Sequence, residues 1–488
     1  MKVLAPEMYE VVIGLEVHAE LLTQSKMFCG CANQPNATPN SNVCPVCLGL
    51  PGALPVINQR AVELTALTGL ALNCSISEFT RFDRKNYFYP DLMKGYQISQ
   101  YQHPIAHDGW IEIEYDGRIQ RIGIRRVHLE EDTAKLFHRV DPTTGRPYSL
   151  VDVNRGGVPL IEIVSEPDIH SAEQARLYLQ ALRTIVQYLG VSTGNMEEGS
   201  FRCDANVSVR PVGSTELGTK VEVKNMNSFR AVFRALEYEA ERQIKAIANG
   251  EPLTQETRGW DESRGITVGQ RSKESAHDYR YFPEPDLPPL SLAPSWVASI
   301  RQQMPELPAA RRQRFETQYG LSPYDAEVLT TTRATADYYE ATVKLFDRPK
   351  QVANWLTGEL FRLLNASNLE IGQSKVSPAG VADLLQLIEK GVISGRAAKD
   401  VFEEMFRTGE SANRIIEAKG LTQISDAAAL DRLVDEAIAA NPKSVADYKS
   451  GKAQAIGFLV GQVMKASRGK ANPGVVNDLL RAKLDQTG

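Results

Sequence analysis

Residues 110–117 read WIEIEYDG and residues 202–211 read RCDANVSVRP. In both, apolar and polar side chains alternate, and a period of two sends one kind to each face of a β-strand. Runs of this type recur up to about residue 290, where only two long helical patterns interrupt them. An antiparallel sheet with helices attached, an α+β fold, is therefore predicted for this part of the chain. The first helix opens at Ser171, with Gln174 three residues on as in a capping box. It carries Tyr178, Leu182, Ile185 and Leu189 on one face and ends at Gly190. The second, Ser228 to Gly250, places Phe229, Val232, Phe233, Leu236, Ile244 and Ile247 at helical spacing, as a core-facing stripe.

Outward from this region the texture changes. YFPEPDLPPLSLAP (281–294) holds five prolines, cannot be regular helix, and precedes mainly helical sequence. A boundary is expected near 290–305. PAGVADLLQLIEKG (378–391) and ISGRAAKDVFEEMFRTG (393–409) are amphipathic helices punctuated by glycine, as in a small bundle, and a second break is expected near Gly420. With 488 residues, 42% of them hydrophobic, there is enough chain for several cores. No apolar run approaches the roughly 18 residues of a membrane span, so a cytoplasmic protein with no membrane partner is expected.

A net charge of −5 argues against a phosphate-rich partner, but it conceals an asymmetry: from Lys443 onward there are eight lysines or arginines against three aspartates. Either a solvated helical surface or a basic binding surface accounts for this.

Four of the six cysteines fall in nineteen residues: Cys29 and Cys31, twelve residues rich in turn formers, then Cys44 and Cys47. Two close thiolate pairs are a zinc signature, and a site filled by four protein ligands is structural. Two disulfides or free thiols are the alternatives. Cys74 and Cys203 stand alone and read as small buried apolar groups.

In VVIGLEVHAEL the strand pattern puts Glu16 and His18 on one face, which suits a divalent metal or a plain polar face. RVHLEEDTAK gathers His128, Glu130, Glu131 and Asp132; DVNRGGVPLIEIVSEPD gathers Asp152, Asn154, Arg155, Glu162 and Glu166. Glu162 lies between apolar neighbours, where a carboxylate needs a cation to offset its desolvation. GSTELGTK (213–220) fails as a P-loop, because threonine precedes the lysine. A nucleotide is then expected to be held by carboxylates through magnesium and by Lys85 and Lys94, with Asn154 and Arg155 beside them.

Seven stretches carry a resemblance that spans the chain: IGLEVHAEL (13–21), FDRKNYFYPDLMKGYQISQY (82–101), VDVNRGGVPLIEIVSEPDI (151–169), MEEGSFRCDANVSVRP (196–211), EVKNMNSF (222–229), DYRYFPEPD (278–286) and GFLVGQVMKASRGKANPGVVNDLL (457–480). The sequence resembles the family of B subunits of tRNA-dependent amidotransferases, and the last stretch also resembles the free-standing YqeY-like domain. The resemblance implies a cradle domain of glutamine-synthetase-like architecture with the cysteine knuckle (1–304), a helical domain (305–418) and a small helical tail that contacts tRNA (419–488). It also implies ATP-dependent phosphorylation of the side-chain carboxylate on Glu-tRNA(Gln) or Asp-tRNA(Asn). Ammonia from an A subunit then replaces the phosphate, within a complex that includes a small C subunit. Carried over residue by residue, the catalytic set is Glu16, His18, Lys85, Glu131 and Glu162, with His18, Glu131 and Glu162 as magnesium ligands. Lys465, Arg468 and Lys470 are expected to meet tRNA phosphates. Nothing resembles the serine- and glycine-rich signature of the glutaminase component.

Overall fold

Strand β1 (Tyr9–Glu20) shows how the sheet is built: Leu15, Val17 and Ala19 are fully buried on one face, while Glu16, His18 and Glu20 lie on the other. The structure, a computed structural model, describes residues 8–272, 278–422, 427–467 and 470–486. The chain divides into two compact units, Met1–Pro308 and Ala309–Gly488.

In the first unit β1 is followed by β2 (Ser75–Ile76), β3 (Phe79–Thr80), β4 (Asp83–Asn86), β5 (Tyr96–Ser99), β6 (Ala106–Tyr115), β7 (Arg118–Glu131), β8 (Lys135–Val140) and β9 (Pro147–Asp152). Then come β10 (Pro159–Ser165), β11 (Phe201–Pro211), β12 (Val221–Lys224), β13 (Glu256–Asp261), β14 (Ile266–Ser272), β15 (Phe282–Pro283) and β16 (Leu290–Ser291). A nine-stranded sheet runs β14-β13-β12-β11-β1-β10-β7-β6-β2. Its neighbours are antiparallel except β12 and β13. Between Val164 and Ser165 the register of β10 against β7 shifts, leaving Arg125 as the extra residue.

Helices α1 (Gln59–Ala71), α2 (Ala172–Tyr188) and α3 (Phe229–Ala248) pack on the apolar face. Each buried Val, Leu or Ile there is worth about 1.5–3 kcal/mol. Contact is close where α1 crosses β6: a Cβ added at Gly69 would lie 2.5 Å from that of Ala106. Ser171 caps α2 by accepting from the Gln174 amide, whereas the Gln174 side chain reaches one residue further back, to the amide of His170. The face expected for α3 is rotated. Ala231, Val232, Ala235, Leu236, Glu239, Gln243 and Ala246 are buried, and Phe233, Ile244 and Ile247 only partly so. Two polar residues can occupy that face because they are paired: Gln243 donates to the Val207 carbonyl, and Glu239 accepts from Arg242 and Thr267.

The opposite face of the sheet is polar. Part of it is covered by a three-stranded sheet, β15-β4-β5. Arg84 fastens β15 to β4 by a two-pronged bond to buried Glu284, at 2.7 and 2.9 Å. Strands β8 and β9 form a separate hairpin, and β16 pairs with β3.

The second unit is helical, from α5 (Pro308–Tyr319) to α16 (Pro473–Gln486), after α4 (Pro294–Gln302) ends the first. Its buried side chains form one core between Phe315 and Ile416 and another between Leu430 and Leu484. Arg311 and Arg314 both bind Glu340 in the first of these. Among the described residues no helix is long and apolar enough to cross a membrane.

Candidate functional site

The polar face of the main sheet is the floor of a cleft of about 790 Å³, a volume suited to a nucleotide-sized ligand. Register fixes its centre: His18 on β1 lies opposite Glu162 on β10, which lies opposite His128 on β7. Glu130, two residues beyond His128, shares that face. His18 Nε2 is 3.5 Å from Glu162 Oε2 and 3.8 Å from Glu130 Oε1. His128 Nε2 is 3.3 Å from Glu162 and 3.7 Å from Glu130. The Ser99 hydroxyl donates to Glu130 at 2.9 Å. One ligand atom each from His18, Glu130 and Glu162 falls within a 4.8 Å group, so these three suit a divalent cation.

The electrostatics agree with that use. Burial favours the neutral form of every group here, yet Glu162, facing both imidazoles, is held well below its ordinary range. Both histidines are raised, because Glu162 and Glu130 outweigh the burial that would lower them. Among the described residues, nothing hydrogen-bonds to buried His128 Nδ1. Lys85 also faces the cleft, kept protonated against burial by Glu130 and Glu162, with its ammonium 4.8 Å from the Tyr279 ring. Glu16 accepts from Asn206 at 2.9 Å in the same row of side chains.

One sequence expectation needs correction. Glu131 does not join His18 and Glu162; its neighbour Glu130 does. Successive residues of β7 point to opposite faces, so with His128 turned into the cleft, Glu131 is turned away. It pairs with Lys94 and accepts from the Ile98 amide. Lys94, Asn154 and Arg155 also lie outside the residues that line the cleft. Lys94 and Glu131 line a smaller cavity of about 250 Å³ beside the cysteines. Asn154 donates to Thr38 and accepts from the Asn42 amide, while Arg155 donates to the carbonyls of Thr133 and Ala134. Both are occupied in holding turns. Sequence reading missed Arg202, Asp204 and Lys224, which line the cleft; the alternation of RCDANVSVRP already placed Arg202 and Asp204 with Asn206 on one face. It also missed Tyr279 and Tyr281.

The sulfurs of Cys29, Cys31, Cys44 and Cys47 lie within 4.8 Å of one another, and none is disulfide-bonded. The Cys44–Cys47 separation of 3.9 Å matches the spacing of about 3.8 Å between thiolates around a tetrahedral ion with metal–sulfur bonds near 2.3 Å. The four can hold a metal such as zinc. Cys74 and Cys203 are buried singly. In the basic terminal part Lys465 and Lys470 are exposed, and Arg468 lies outside the described residues.

Comparison with known proteins gives this geometry its context. The family described as the GatB/GatE catalytic domain matches residues 11–298, and that described as the GatB domain matches 337–484. The B subunit of the aspartyl/glutamyl-tRNA(Asn/Gln) amidotransferase of Carboxydothermus hydrogenoformans is 59% identical over 98% of this chain and 99% of its own length. The protein of the same name from Moorella thermoacetica is 58% identical over 98% and 100%, and that from Dehalococcoides mccartyi 56% over 98% and 99%. With both family matches in chain order and such relatives aligned end to end, the chain belongs to the family of amidotransferase B subunits, and so is one component of a tRNA-dependent carbon–nitrogen ligase.

Proposed function

We propose that the first unit activates the side-chain carboxylate of Glu-tRNA(Gln), Asp-tRNA(Asn) or both with ATP and then amidates it. The observation that carries this is the group of His18, Glu130 and Glu162 in a polar cleft also lined by Lys85, Arg202 and Lys224. In the reaction a substrate carboxylate oxygen attacks the γ-phosphorus of ATP and ADP leaves, giving an acyl phosphate. Ammonia attacks its carbonyl carbon, inorganic phosphate departs, and the amide remains. A magnesium ion held by His18, Glu130 and Glu162, with Glu16 beside them, would neutralise phosphate charge. Lys85, kept cationic in the cleft, offers a fixed positive charge to phosphate oxygens. Arg202, anchored to Asp132 at 2.8 Å, and Lys224, bound to Asp204 at 2.6 Å, are held rigidly enough to orient an anionic substrate.

Ammonia on this reading comes from an A subunit within a heterotrimer that includes a C subunit, in the cytoplasm. The cysteine knuckle holds one structural zinc ion, and the first unit is the glutamine-synthetase-like cradle, about residues 1–304. The second core of the helical unit, within 419–488, is the YqeY-like tail that grips the tRNA body through Lys465, Arg468 and Lys470, after a helical domain over 305–418. The test is amidation of mischarged tRNA with free ammonium chloride, scoring ADP and amide together. ADP release that depends on mischarged tRNA and matches amide formed is expected; amide made without ATP would overturn the reading.

A further inference from the structure

The cleft is divided by chemistry as well as by shape. Every carboxylate and imidazole that lines it comes from the main sheet or the turn after β7, and every tyrosine, Tyr87, Tyr101, Tyr279 and Tyr281, comes from the segments flanking β4, β5 and β15. One wall is therefore suited to cations, and the facing wall, which also carries Lys85 of β4 beside Tyr279, to a flat ring next to an anionic group. A ligand with both ends is a nucleotide.

The aromatic wall is built in a definite way. Phe282 pairs with Arg84 in β15 and β4, so Tyr281, one residue earlier, points to the opposite face, into the cleft. Arg280, between the two tyrosines, has φ of 45°, a left-handed conformation that a non-glycine residue adopts at some cost and that often marks a functional turn. The Tyr281 and Tyr101 rings stand 4.3 Å apart and 6° from parallel. Arg126, also lining the cleft, has its guanidinium 6.0 Å from the Tyr101 ring centre. Tyr101 is 38% exposed. A face-to-face tyrosine stack beside an arginine, half open to water, presents a π-surface of the sort on which nucleobases stack.

We propose that Tyr281 and Tyr101 form a stacking platform for an adenine ring whose phosphate or ribose end reaches the carboxylate floor. This rests on the functional reading above, which supplies two adenines: that of ATP and that of the terminal adenosine carrying the amino acid. Tyr281→Leu removes the ring, and Tyr281→Phe keeps it without the hydroxyl.

The experiment measures binding, not turnover, by the full chain copurified with its partner subunits. The probes are Mg-ATP, magnesium tripolyphosphate, and a short RNA hairpin whose unpaired 3′ end finishes in adenosine. Tyr281→Leu is expected to weaken ATP or the hairpin by about 5- to 150-fold, the weakened probe identifying the source of the adenine. Tyr281→Phe and the tripolyphosphate affinity are expected to stay at the level of the unaltered protein. Unchanged affinity for both ATP and hairpin overturns the proposal, as does an equal loss for tripolyphosphate. Should Tyr281→Leu fail to fold, Tyr101→Leu carries the same expectations and the same refutations. If the unaltered chain binds neither ATP nor hairpin, the functional reading falls and takes this proposal with it; if it binds both and the variants change neither, only the platform falls.

Discussion

Glu130 and Glu131 are neighbours in sequence with opposite surroundings, and exchanging each for glutamine separates the two. Glu130→Gln keeps an acceptor for the Ser99 hydroxyl but removes one of the two carboxylates beside His18. Loss of an outer-shell partner alone costs about 10- to 100-fold in metal affinity, so loss of a direct ligand should cost at least about 100-fold. The fold should tolerate the change, because Glu162 still faces Lys85 and both imidazoles. Glu131→Gln acts differently. It leaves the Lys94 ammonium, whose side chain is 15% exposed, without its counter-charge. Breaking a fully buried pair costs about 3–5 kcal/mol, and partial access to water reduces this to about 1–3 kcal/mol. Manganese titration followed by electron paramagnetic resonance gives the first quantity, and urea unfolding gives the second. The reasoning fails if Glu131→Gln weakens manganese binding as much as Glu130→Gln, because alternation along β7 would then not decide which carboxylate serves the site.

Cys44→Ser should leave a chain with less than one zinc per molecule by plasma mass spectrometry; full retention of zinc would remove Cys44 from the ligand set. Glu340 is raised by burial but lowered further by hydrogen bonds from Arg314 and Arg311, so its folded value lies below the ordinary 4.5. A depressed carboxyl contributes stability that is complete above pH 4.5 and is lost as the pH falls through the folded value, so Glu340→Gln should flatten the acid limb of unfolding followed by helical circular dichroism. An acid limb unchanged by the substitution would rule out this pairing as its source. Truncation after residue 418 should lower tRNA affinity and its salt dependence while leaving manganese binding intact, and an unchanged salt slope would refute a tRNA role for the tail.

The sequence made the polar face of β1 legible because alternation there is unbroken: Glu16 and His18 do share a face of the sheet. The choice between Glu130 and Glu131 was not legible. It depends on which residue of β7 stands opposite Glu162, and pairing between strands some thirty residues apart leaves no local mark. Helix α3 misled for another reason. Val232 and Leu236 of the expected stripe are buried, but Glu239 and Gln243 find buried partners beside Ala231, Ala235 and Ala246, and Phe233, Ile244 and Ile247 are left only partly covered. The cysteines were easy to see, since four thiols at that spacing have few other uses in a reduced protein. The tyrosine wall was not, because it joins residues near 87 and 101 to residues near 280, and only the small sheet brings them together.

The shifted register between Val164 and Ser165 bears on how this chain fails. Beyond that bulge, from Arg126 to Glu131, β7 sends Val127 and Leu129 towards the helices and His128 and Glu130 to the cleft by a single count. A one-residue slip puts ionised groups under α1 and leaves valines and leucines facing water. An error of that kind cannot yield a well-folded but inert protein, able to occupy its partners and sequester tRNA. It yields a chain that does not fold, which a cell can degrade before assembly, so for this class of lesion inactivity and disposal arrive together.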